Sequence, residues 1–256
     1  MPINNKYDEK QLKNRFIELA KRSYEQNIYT FTGFLGLTEQ SIFWDTEKEV
    51  TYVGYTLDGG ADVCDRKVVR FGKKEELGYE EEFPIVCIKI TPLIQKFSDQ
   101  FSHRDFLGAI MNLGIDRSMI GDIFLLENEG YVFCLESIAG YIVENLSKVK
   151  HTHIKCEKVK DSLIFMKDEG KTLEITVTSD RIDVVVAGIY HVSRSVSLSY
   201  FEEGIVYVNG RLCTENAKSL KAGDVVNVRG MGKFCYNGID YITKKDKCRI
   251  SVQVYR

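Results

Sequence analysis

Residues 180–234 constrain this 256-residue chain more than any other stretch, because their turn signals fix the ends of several short elements. Asn209 and Gly210 form a strong hairpin signal, since both residue types adopt the left-handed backbone of a type I′ turn at low cost. The residues on either side are apolar and alternate in character. We therefore predict two paired strands, over 205–208 and from 211 onward.

Two short helices are predicted ahead of this hairpin. Ser179 or Asp180 can cap the first helix, and Ser193 can cap the second. Gly204 is a suitable residue for the left-handed position that follows a helix. The apolar residues of the first helix recur at helical spacing and are Ile182, Val185, Val186 and Ile189. Two helices followed by a hairpin predict a compact α+β module.

The same stretch resembles the alpha-L RNA-binding motif, the S-four type of domain named after a small-subunit ribosomal protein. The matching residues are Arg181, Asp183, Ser193, Arg194, Gly204, Val206, Val208, Asn209, Gly210, Gly223 and Asp224. The resemblance implies a module whose helix pair and hairpin hold structured RNA on one basic face. The chain departs from the motif at Val196, where a basic residue is common, and at Ser197, where alanine is usual.

Positive side chains at the two helix starts and at the hairpin are the predicted RNA contacts. A guanidinium can donate two hydrogen bonds to one phosphate, and the amides at a helix N-terminus attract anions. The predicted RNA-binding residues are Arg181, Ser193, Arg194, Ser195, Asn209, Arg211, Lys218, Arg229 and Lys233. The competing interpretation is a small α+β domain in which these Arg and Asp residues only stabilise turns.

The charge distribution favours RNA binding only weakly. The net charge of the whole chain is −2, which does not indicate a nucleic-acid-binding protein. Residues 171–256, however, carry 13 Lys and Arg against 9 Asp and Glu, whereas the preceding residues carry 22 against 28. A basic module appended to an acidic body is a typical source of such asymmetry.

The middle of the chain predicts the order β-α-β-β-α-β, the ferredoxin-like frame that RNA-recognition domains share. The predicted strands are 85–91, 123–126, 131–135 and 151–159, and the predicted helices are 102–113 and 138–149. Tyr131 and Phe133 partly resemble an aromatic base-stacking strand, but Glu129 and Glu136 stand where that strand has basic and aromatic residues. Two interpretations remain open: the rings stack on bases, or they belong to the core.

His103 and Arg104 begin the first of these helices and are predicted as a secondary RNA contact. A helix cap with a surface ion pair is an equally good interpretation. The sequence His-Arg-Asp is similar to the kinase catalytic loop. A kinase is excluded because Ile110 stands where the metal-binding Asn belongs and no Gly-rich loop precedes it.

The flanking regions complete a three-domain prediction. We predict an N-terminal α/β unit over 1–80, a ferredoxin-like domain over 81–160 and the alpha-L module over 161–256. The first contains a helix over 8–26 and strands over 51–57 and 68–71. In the last, strands over 163–166 and 173–177 can pair, Asn237-Gly238 offers a hairpin, and a final strand covers 249–255.

The whole order of motifs resembles the YlmH-like bacterial RNA-binding proteins, over about residues 30–235. The resemblance rests on Ser-His-Arg-Asp-x-Leu-Gly-Ala at 102–109, Gly-Asp-Ile at 121–123 and Arg-Gly-Met-Gly-Lys-Phe at 229–234. It implies a cytoplasmic, non-catalytic protein that binds rRNA or tRNA and associates with the ribosome or a stalled large subunit. The alternatives are an RNA-modifying enzyme with an appended binding module and a cell-division-linked protein adaptor.

Other classes of site are not indicated. Seven cysteines without framework spacing predict a reducing compartment and no disulfides. We expect no catalytic residues, no cofactor and no metal, although His151 and His153 share one strand face and can bind a metal adventitiously. The polar first ten residues predict no signal peptide, no apolar run suggests a membrane span, and a monomer is expected.

Overall fold

The computed structural model describes residues 6–159 and 170–255. The chain forms two compact units, Met1–Lys167 and Asp168–Arg256. The predicted domains 1–80 and 81–160 thus lie in one compact unit, and the boundary between them stays a prediction. The α+β class is confirmed, whereas the strand predicted over 163–166 lies outside the described residues.

The first unit contains two antiparallel sheets and five helices among its described residues. The elements of its first half are α1 (Lys6–Gln26), β1 (Thr30–Phe31), α2 (Leu37–Thr46), β2 (Tyr55–Asp58), β3 (Val68–Phe71) and α3 (Lys74–Leu77). Those of its second half are β4 (Ile85–Pro92), α4 (His103–Met111), β5 (Ile120–Leu126), β6 (Glu129–Leu135), α5 (Glu136–Asn145), β7 (Lys148–Val149) and β8 (Thr152–Val159).

The second sheet has the strand order β5-β6-β4-β8-β7, with every neighbouring pair antiparallel. Without β7, this is the order of the predicted ferredoxin-like frame, which is therefore confirmed. The helix predicted over 138–149 is wrong at both ends. It begins at Glu136 and stops at Asn145, and the backbone becomes extended at Leu146, so that buried Val149 joins the sheet as part of β7.

The first half of this unit packs helices α1 and α2 against the small sheet β1-β3-β2. Phe16, Leu19 and Ala20 of α1 are buried there, as the helical spacing of their apolar side chains predicts. Tyr24 has the same spacing but is 61% exposed, and its ring packs edge-on against Tyr52.

The two faces of the larger sheet have different neighbours. Helices α4 and α5 cover one face, where Phe106, Ile110 and Ile142 are fully buried. The other face packs against the first half of the same unit, in a cluster that joins Tyr131 and Phe133 with Phe34, Cys64, Val68 and Cys87. Tyr131 and Phe133 are only 8% and 2% exposed. They belong to the core, and the base-stacking interpretation is wrong because an internal surface already covers the rings.

Polar contacts reinforce the junction between the two halves. The guanidinium of Arg66, just before β3, donates to the carbonyl oxygens of Ile120 at 3.0 Å and Phe34 at 2.8 Å. The amide of Arg66 donates to Asp122 at 2.8 Å. Burial lowers the pKa of Arg66 and lowers that of neighbouring Arg117 to about 10. These arginines stay charged at neutral pH and satisfy carbonyls that the junction removes from water.

The second unit is a six-stranded sheet with two helices on one face. Its elements are β9 (Lys171–Val177), α6 (Ile182–Tyr190), α7 (Arg194–Glu202), β10 (Val206–Val208), β11 (Arg211–Leu212), β12 (Val225–Val228), β13 (Gly232–Ile242) and β14 (Cys248–Tyr255). The strand order is β11-β10-β12-β13-β14-β9. Alternate strand residues, among them Val226, Phe234 and Ile250, form one core with the apolar face of α6.

Most turn signals of this unit act as predicted. Asn209 and Gly210 have φ angles of 52° and 76°, and Val208 pairs with Arg211 across the turn. Ser193 caps α7, but Arg181, rather than Ser179 or Asp180, is the N-cap of α6. The prediction of a hairpin at Asn237-Gly238 is wrong. Gly238 lies at a bulge inside β13, and the chain reverses at 243–247.

Phe133→Ala tests whether this ring is core or an RNA platform. We expect the substitution to lower the free energy of unfolding by about 3–5 kcal/mol, because it leaves a cavity between two packed layers. The measurement is urea unfolding followed by circular dichroism. Tyr141→Ala, at a ring 49% exposed on α5, is the control and should cost far less. Equal effects of the two changes would contradict the buried role of Phe133.

Candidate nucleic-acid interface

A single buried carboxylate organises the two helix starts of the second unit. Asp183 is fully buried in the first turn of α6. Arg181 donates to its two oxygens through Nε and Nη2, each at 3.0 Å. Arg194, the first residue of α7, donates through Nε at 3.1 Å and forms an ion pair through Nη2 at 3.1 Å. The two predicted RNA-binding arginines are therefore brought together on one anion, and both contact its Oδ2.

This arrangement, which we call the arginine fork (Arg181, Asp183 and Arg194), changes the expected electrostatics. The Asp183 charge cancels one of the two positive charges and occupies one edge of each guanidinium. Burial alone would raise the pKa of Asp183, but hydrogen bonds from Arg181 and Arg194 outweigh it and lower the pKa. The arginine side chains remain 36% and 59% exposed, so each keeps an outer edge toward solvent. The fork carries a net charge of +1 and holds both groups in fixed orientations.

Two more contacts lock α6, α7 and the following loop around the fork. The hydroxyl of buried Ser197 donates to the carbonyl oxygen of Asp183 at 2.7 Å, so the serine at the usual alanine position joins the two helices. The amide of Ile182 donates to the carbonyl oxygen of Lys218 at 2.9 Å. Lys218 is exposed, and this backbone contact places the residue next to the start of α6.

Ser193 and Ser195 lie at the start of α7 and act first as structural residues. Ser193 Oγ accepts a hydrogen bond from the amide of Val196 at 3.3 Å, and the two serine hydroxyls are 2.8 Å apart. Both residues are exposed beside Arg194. Their predicted RNA contact is compatible with this position and stays a prediction.

The hairpin residues differ in role. Asn209 donates through Nδ2 to Asp224 at 2.9 Å and accepts from the amide of Val225 at 2.9 Å. Its side chain therefore joins two turns of the sheet, and its RNA contact stays a prediction. Arg211 is exposed on the edge strand β11, where it pairs with Val208.

Of the last two predicted cations, Arg229 lies at the other end of β10, whereas Lys233 of β13 lies level with Tyr207 in the middle of that strand. The amide of Arg229 donates to the carbonyl oxygen of Ile205, which precedes β10, whereas Arg211 pairs at the end of β10. The three residues between these two levels correspond to about 10 Å along the strands. Lys233 lies over the Tyr255 ring, with Nζ 5.5 Å from its centroid. The predicted set therefore extends along the sheet and is not concentrated at one point.

The secondary candidates lie in the first unit, beside a shallow groove. His103 and Arg104 are exposed at the start of α4, where Ser102 and Asp105 cap the helix reciprocally. Lys150 also binds Asp105, at 3.0 Å. The groove runs between α4 and the segment around β7, and Arg104, Lys148 and Lys150 line it together with Asn112 and Asn145. The cap interpretation is correct for Asp105, and Arg104 remains a cation at the groove.

Other chemistries find little support in the described residues. Between 6 and 159 and between 170 and 255, no group of three or more His, Cys, Asp or Glu side chains is placed to hold a metal ion. Five cysteines are buried, and burial raises the pKa of the Cys134 and Cys156 thiols to about 12, so they stay protonated at neutral pH. No described helix combines the length and apolar character that a bilayer crossing requires.

Sequence reasoning found both arginines but missed what joins them. The spacing Arg-x-Asp was visible, yet nothing in it indicated that Asp183 would be buried and shared with Arg194. It also missed Lys148 and Lys150, because their proximity to Arg104 depends on β7 packing beside α4. The only available signal was the presence of two lysines on either side of a buried valine.

Comparisons with known proteins agree with the resemblance. Residues 79–162 match a family model described as "Putative RNA-binding domain in YlmH". The chain is 26% identical over 250 residues to the ribosome-associated protein quality control protein P2 of Bacillus subtilis (strain 168), covering 96% of this chain and 95% of that protein. A solved structure of the cell division protein ylmH from Streptococcus pneumoniae is 17% identical, with a TM-score of 0.48, and covers 62% of this chain and 96% of that chain. The family model confirms the resemblance to YlmH-like proteins over residues 79–162.

Asp183→Asn tests the ionised state of the fork. A lowered pKa means that the carboxylate contributes stability above its usual value of 3.8 and loses this contribution as the pH falls through the folded-state pKa. At pH 7 we expect the substitution to cost roughly 1–3 kcal/mol, because two guanidiniums lose a charged acceptor. The melting-temperature difference between the wild type and the variant should shrink toward pH 3.

The control for this measurement is Glu202→Gln, the same charge change at an exposed residue of α7. It should leave the melting temperature nearly unchanged at both pH values, since an exposed carboxylate contributes little. If the melting temperature of the wild type exceeds that of Asp183→Asn by as much at pH 3 as at pH 7, an ionised Asp183 within the fork is contradicted.

Proposed function

We propose that this YlmH-like chain is a non-catalytic RNA-binding protein that associates with the ribosome and holds structured RNA, either rRNA or tRNA, through its second unit. The observation that carries the proposal is the arginine fork: two guanidiniums at adjacent helix starts, oriented by one buried carboxylate. Exposed Lys218 is bonded through its backbone to the start of α6. The match to a ribosome-associated relative over nearly the whole chain supports the same function.

The physical reason is orientation. A long flexible side chain loses rotamer freedom when it grips a phosphate, and a guanidinium already held by Asp183 has less freedom to lose. Its outer N–H groups can then donate to phosphate oxygens, and the exposed amides at the start of α7 favour a further anion. A-form RNA is recognised mainly through its shape, phosphates and 2′-hydroxyls, so we expect weak sequence preference.

We also propose that the first unit contributes a second contact through the groove at Arg104, Lys148 and Lys150. Because internal packing covers Tyr131 and Phe133, RNA that reaches this part of the chain meets the helix side and not the sheet face. The groove presents three cations and two side-chain amides against the single carboxylate of Asp105, which Lys150 already pairs, and this balance suits a phosphate backbone. The proposal keeps the predicted role of Arg104, and His103 is the exposed residue next to it at the start of α4.

The competing proposal is an enzyme that modifies RNA. The test is to incubate RNA with the protein and common methyl or phosphate donors and to measure the mass of the RNA. An increase in mass would support an enzyme. We expect no such change, and we propose a cytoplasmic, monomeric protein without a cofactor. RNase treatment separates the proposed function from that of a cell-division-linked adaptor. An adaptor would keep its protein partners after the treatment, whereas a protein that binds RNA should lose its association with the ribosome.

Arg194→Ala tests the second-unit surface. We expect co-sedimentation with purified large ribosomal subunits to weaken at least several-fold, with a salt dependence of log K that is shallower by about 0.9 for the lost phosphate contact. The fold should survive because Arg181 keeps its two hydrogen bonds to Asp183. Arg194→Lys is the matched control: it keeps the charge without the fork geometry and should fall between wild type and alanine. A folded alanine variant with unchanged affinity would remove Arg194 from the interface.

Arg104→Ala tests the groove. We expect a smaller loss than for Arg194→Ala, about twofold to fivefold in the same sedimentation assay, because one exposed phosphate contact is worth about 1 kcal/mol or less. Glu144→Gln, an exposed change on neighbouring α5, serves as the control and should not weaken binding. Loss of affinity in the control equal to that in Arg104→Ala would argue against a local contact.

A further inference from the structure

Strand β13 extends past its neighbour β12 and there forms an edge of the sheet, while β14 stays paired with β9 as far as Cys248. Strand β12 pairs with β13 only as far as Cys235, whereas β13 continues to Ile242 and pairs there with β14 alone. The chain reverses at 243–247, where the amide of Thr243 donates to Lys247 O at 2.8 Å and the amide of Asp246 donates to Thr243 O at 3.0 Å. We call residues 239–249 the β13–β14 arm.

The tip of the arm concentrates the positive charge of the module. Lys244, Lys245 and Lys247 are exposed, and none of them forms an ion pair with a residue of the described ranges. With Arg249 the arm has four basic residues against Asp240 and Asp246, a net charge of +2. Residues 171–256 together carry 13 basic and 9 acidic residues, a net charge of +4. Half of that net charge therefore lies within eleven residues.

The acidic groups of the arm and its surroundings do not neutralise the tip. Asp240 accepts a hydrogen bond from Ser251 at 3.1 Å, on the strands and not at the turn. Glu174 of β9 pairs with Arg249 at 3.0 Å. Only Asp246 lies among the three lysines, so the turn itself presents a net charge of +2 to solvent, compared with +1 at the arginine fork.

Large apolar side chains on the arm are also exposed. Ile239, Tyr241 and Ile242 are 46%, 58% and 66% exposed. Lysines alone are a common way to protect an edge strand from unwanted pairing. Uncovered isoleucines and a tyrosine have the opposite effect, and their presence beside the lysines indicates that the arm meets a partner.

We propose that the β13–β14 arm is a second RNA-binding element, in which Lys244, Lys245 and Lys247 contact phosphates and Tyr241 stacks on an unpaired base. Proteins that bind single-stranded nucleic acid combine a positive surface with exposed aromatic rings in this way. The arginine fork is suited to the rigid backbone of folded RNA, whereas an edge strand with an exposed ring and a basic turn is suited to unstacked nucleotides in a loop. The inference rests on the proposed RNA-binding function.

The test compares the wild type with Lys244→Ala/Lys245→Ala/Lys247→Ala on two labelled probes, a 20-nucleotide oligouridylate and a 20-base-pair RNA duplex. For the oligouridylate we expect about a tenfold loss of affinity, and a slope of log K against log salt that is shallower by about 2, at roughly 0.7 for each phosphate. Binding to the duplex should change less. The control Lys48→Ala/Lys158→Ala/Lys171→Ala removes the same charge at exposed residues and should preserve both affinities.

Tyr241 provides a readout that does not depend on charge. Tyr241→Ala should lower the affinity for oligouridylate about tenfold, as loss of one base–aromatic stack predicts, while the salt slope stays unchanged. Tyr241→Phe should retain the affinity. A folded triple-lysine variant with wild-type affinity and slope would overturn the arm proposal.

The outcomes also separate the arm from the wider function. If the wild type binds neither the two probes nor large ribosomal subunits, the RNA-binding function itself fails. If the wild type binds RNA and the triple-lysine variant binds equally well, only the arm proposal fails. A further outcome would also overturn the arm proposal. In it, sedimentation with phosphatidylserine-containing vesicles requires the three lysines while the RNA affinity does not, which would assign the arm to a membrane surface.

Discussion

The second unit depends on a charge buried at the junction of three segments. Removing a carboxylate from water costs several kcal/mol unless it is paired, and Asp183 is paired twice. Its backbone takes part as well: the amide donates to Asn216 and the carbonyl oxygen accepts from Ser197. One residue thereby fixes the start of α6, the start of α7 and the loop that precedes β12. The orientation of the surface arginines is a consequence of this internal requirement.

The first unit follows a different rule, that of apolar coverage. A ferredoxin-like sheet has two faces, and helices α4 and α5 cover only one of them. Here the second face is covered by aromatic and small side chains from the first half of the unit, including Phe34 and Val68. This coverage stabilises the junction and also removes the sheet face from RNA binding. The proposed RNA contact of this unit is therefore on the helix side, where Arg104, Lys148 and Lys150 line a groove.

The buried carboxylate and the covered sheet face together limit where positive charge can contact a nucleic acid. The residues that most resemble the RNA-binding motif share their charge with Asp183, whereas the lysines at the end of the β13–β14 arm do not. A rigid contact of modest charge and a contact of higher charge at the sheet edge can act together on one RNA. Linking two weak contacts in one unit raises the overall affinity, because the second contact forms intramolecularly.

Local features could be predicted from the residues alone, because short-range sterics and periodicity control them. The Asn209-Gly210 turn, the Ser193 cap and the β-α-β-β-α-β order all depend on neighbouring residues and appeared as predicted. Other features depend on contacts between distant segments and became visible only in the folded chain. Burial of Asp183, coverage of Tyr131 and Phe133, and inclusion of Gly238 in a long strand each depend on segments distant in the chain, since desolvation and strand pairing are set by whatever packs alongside.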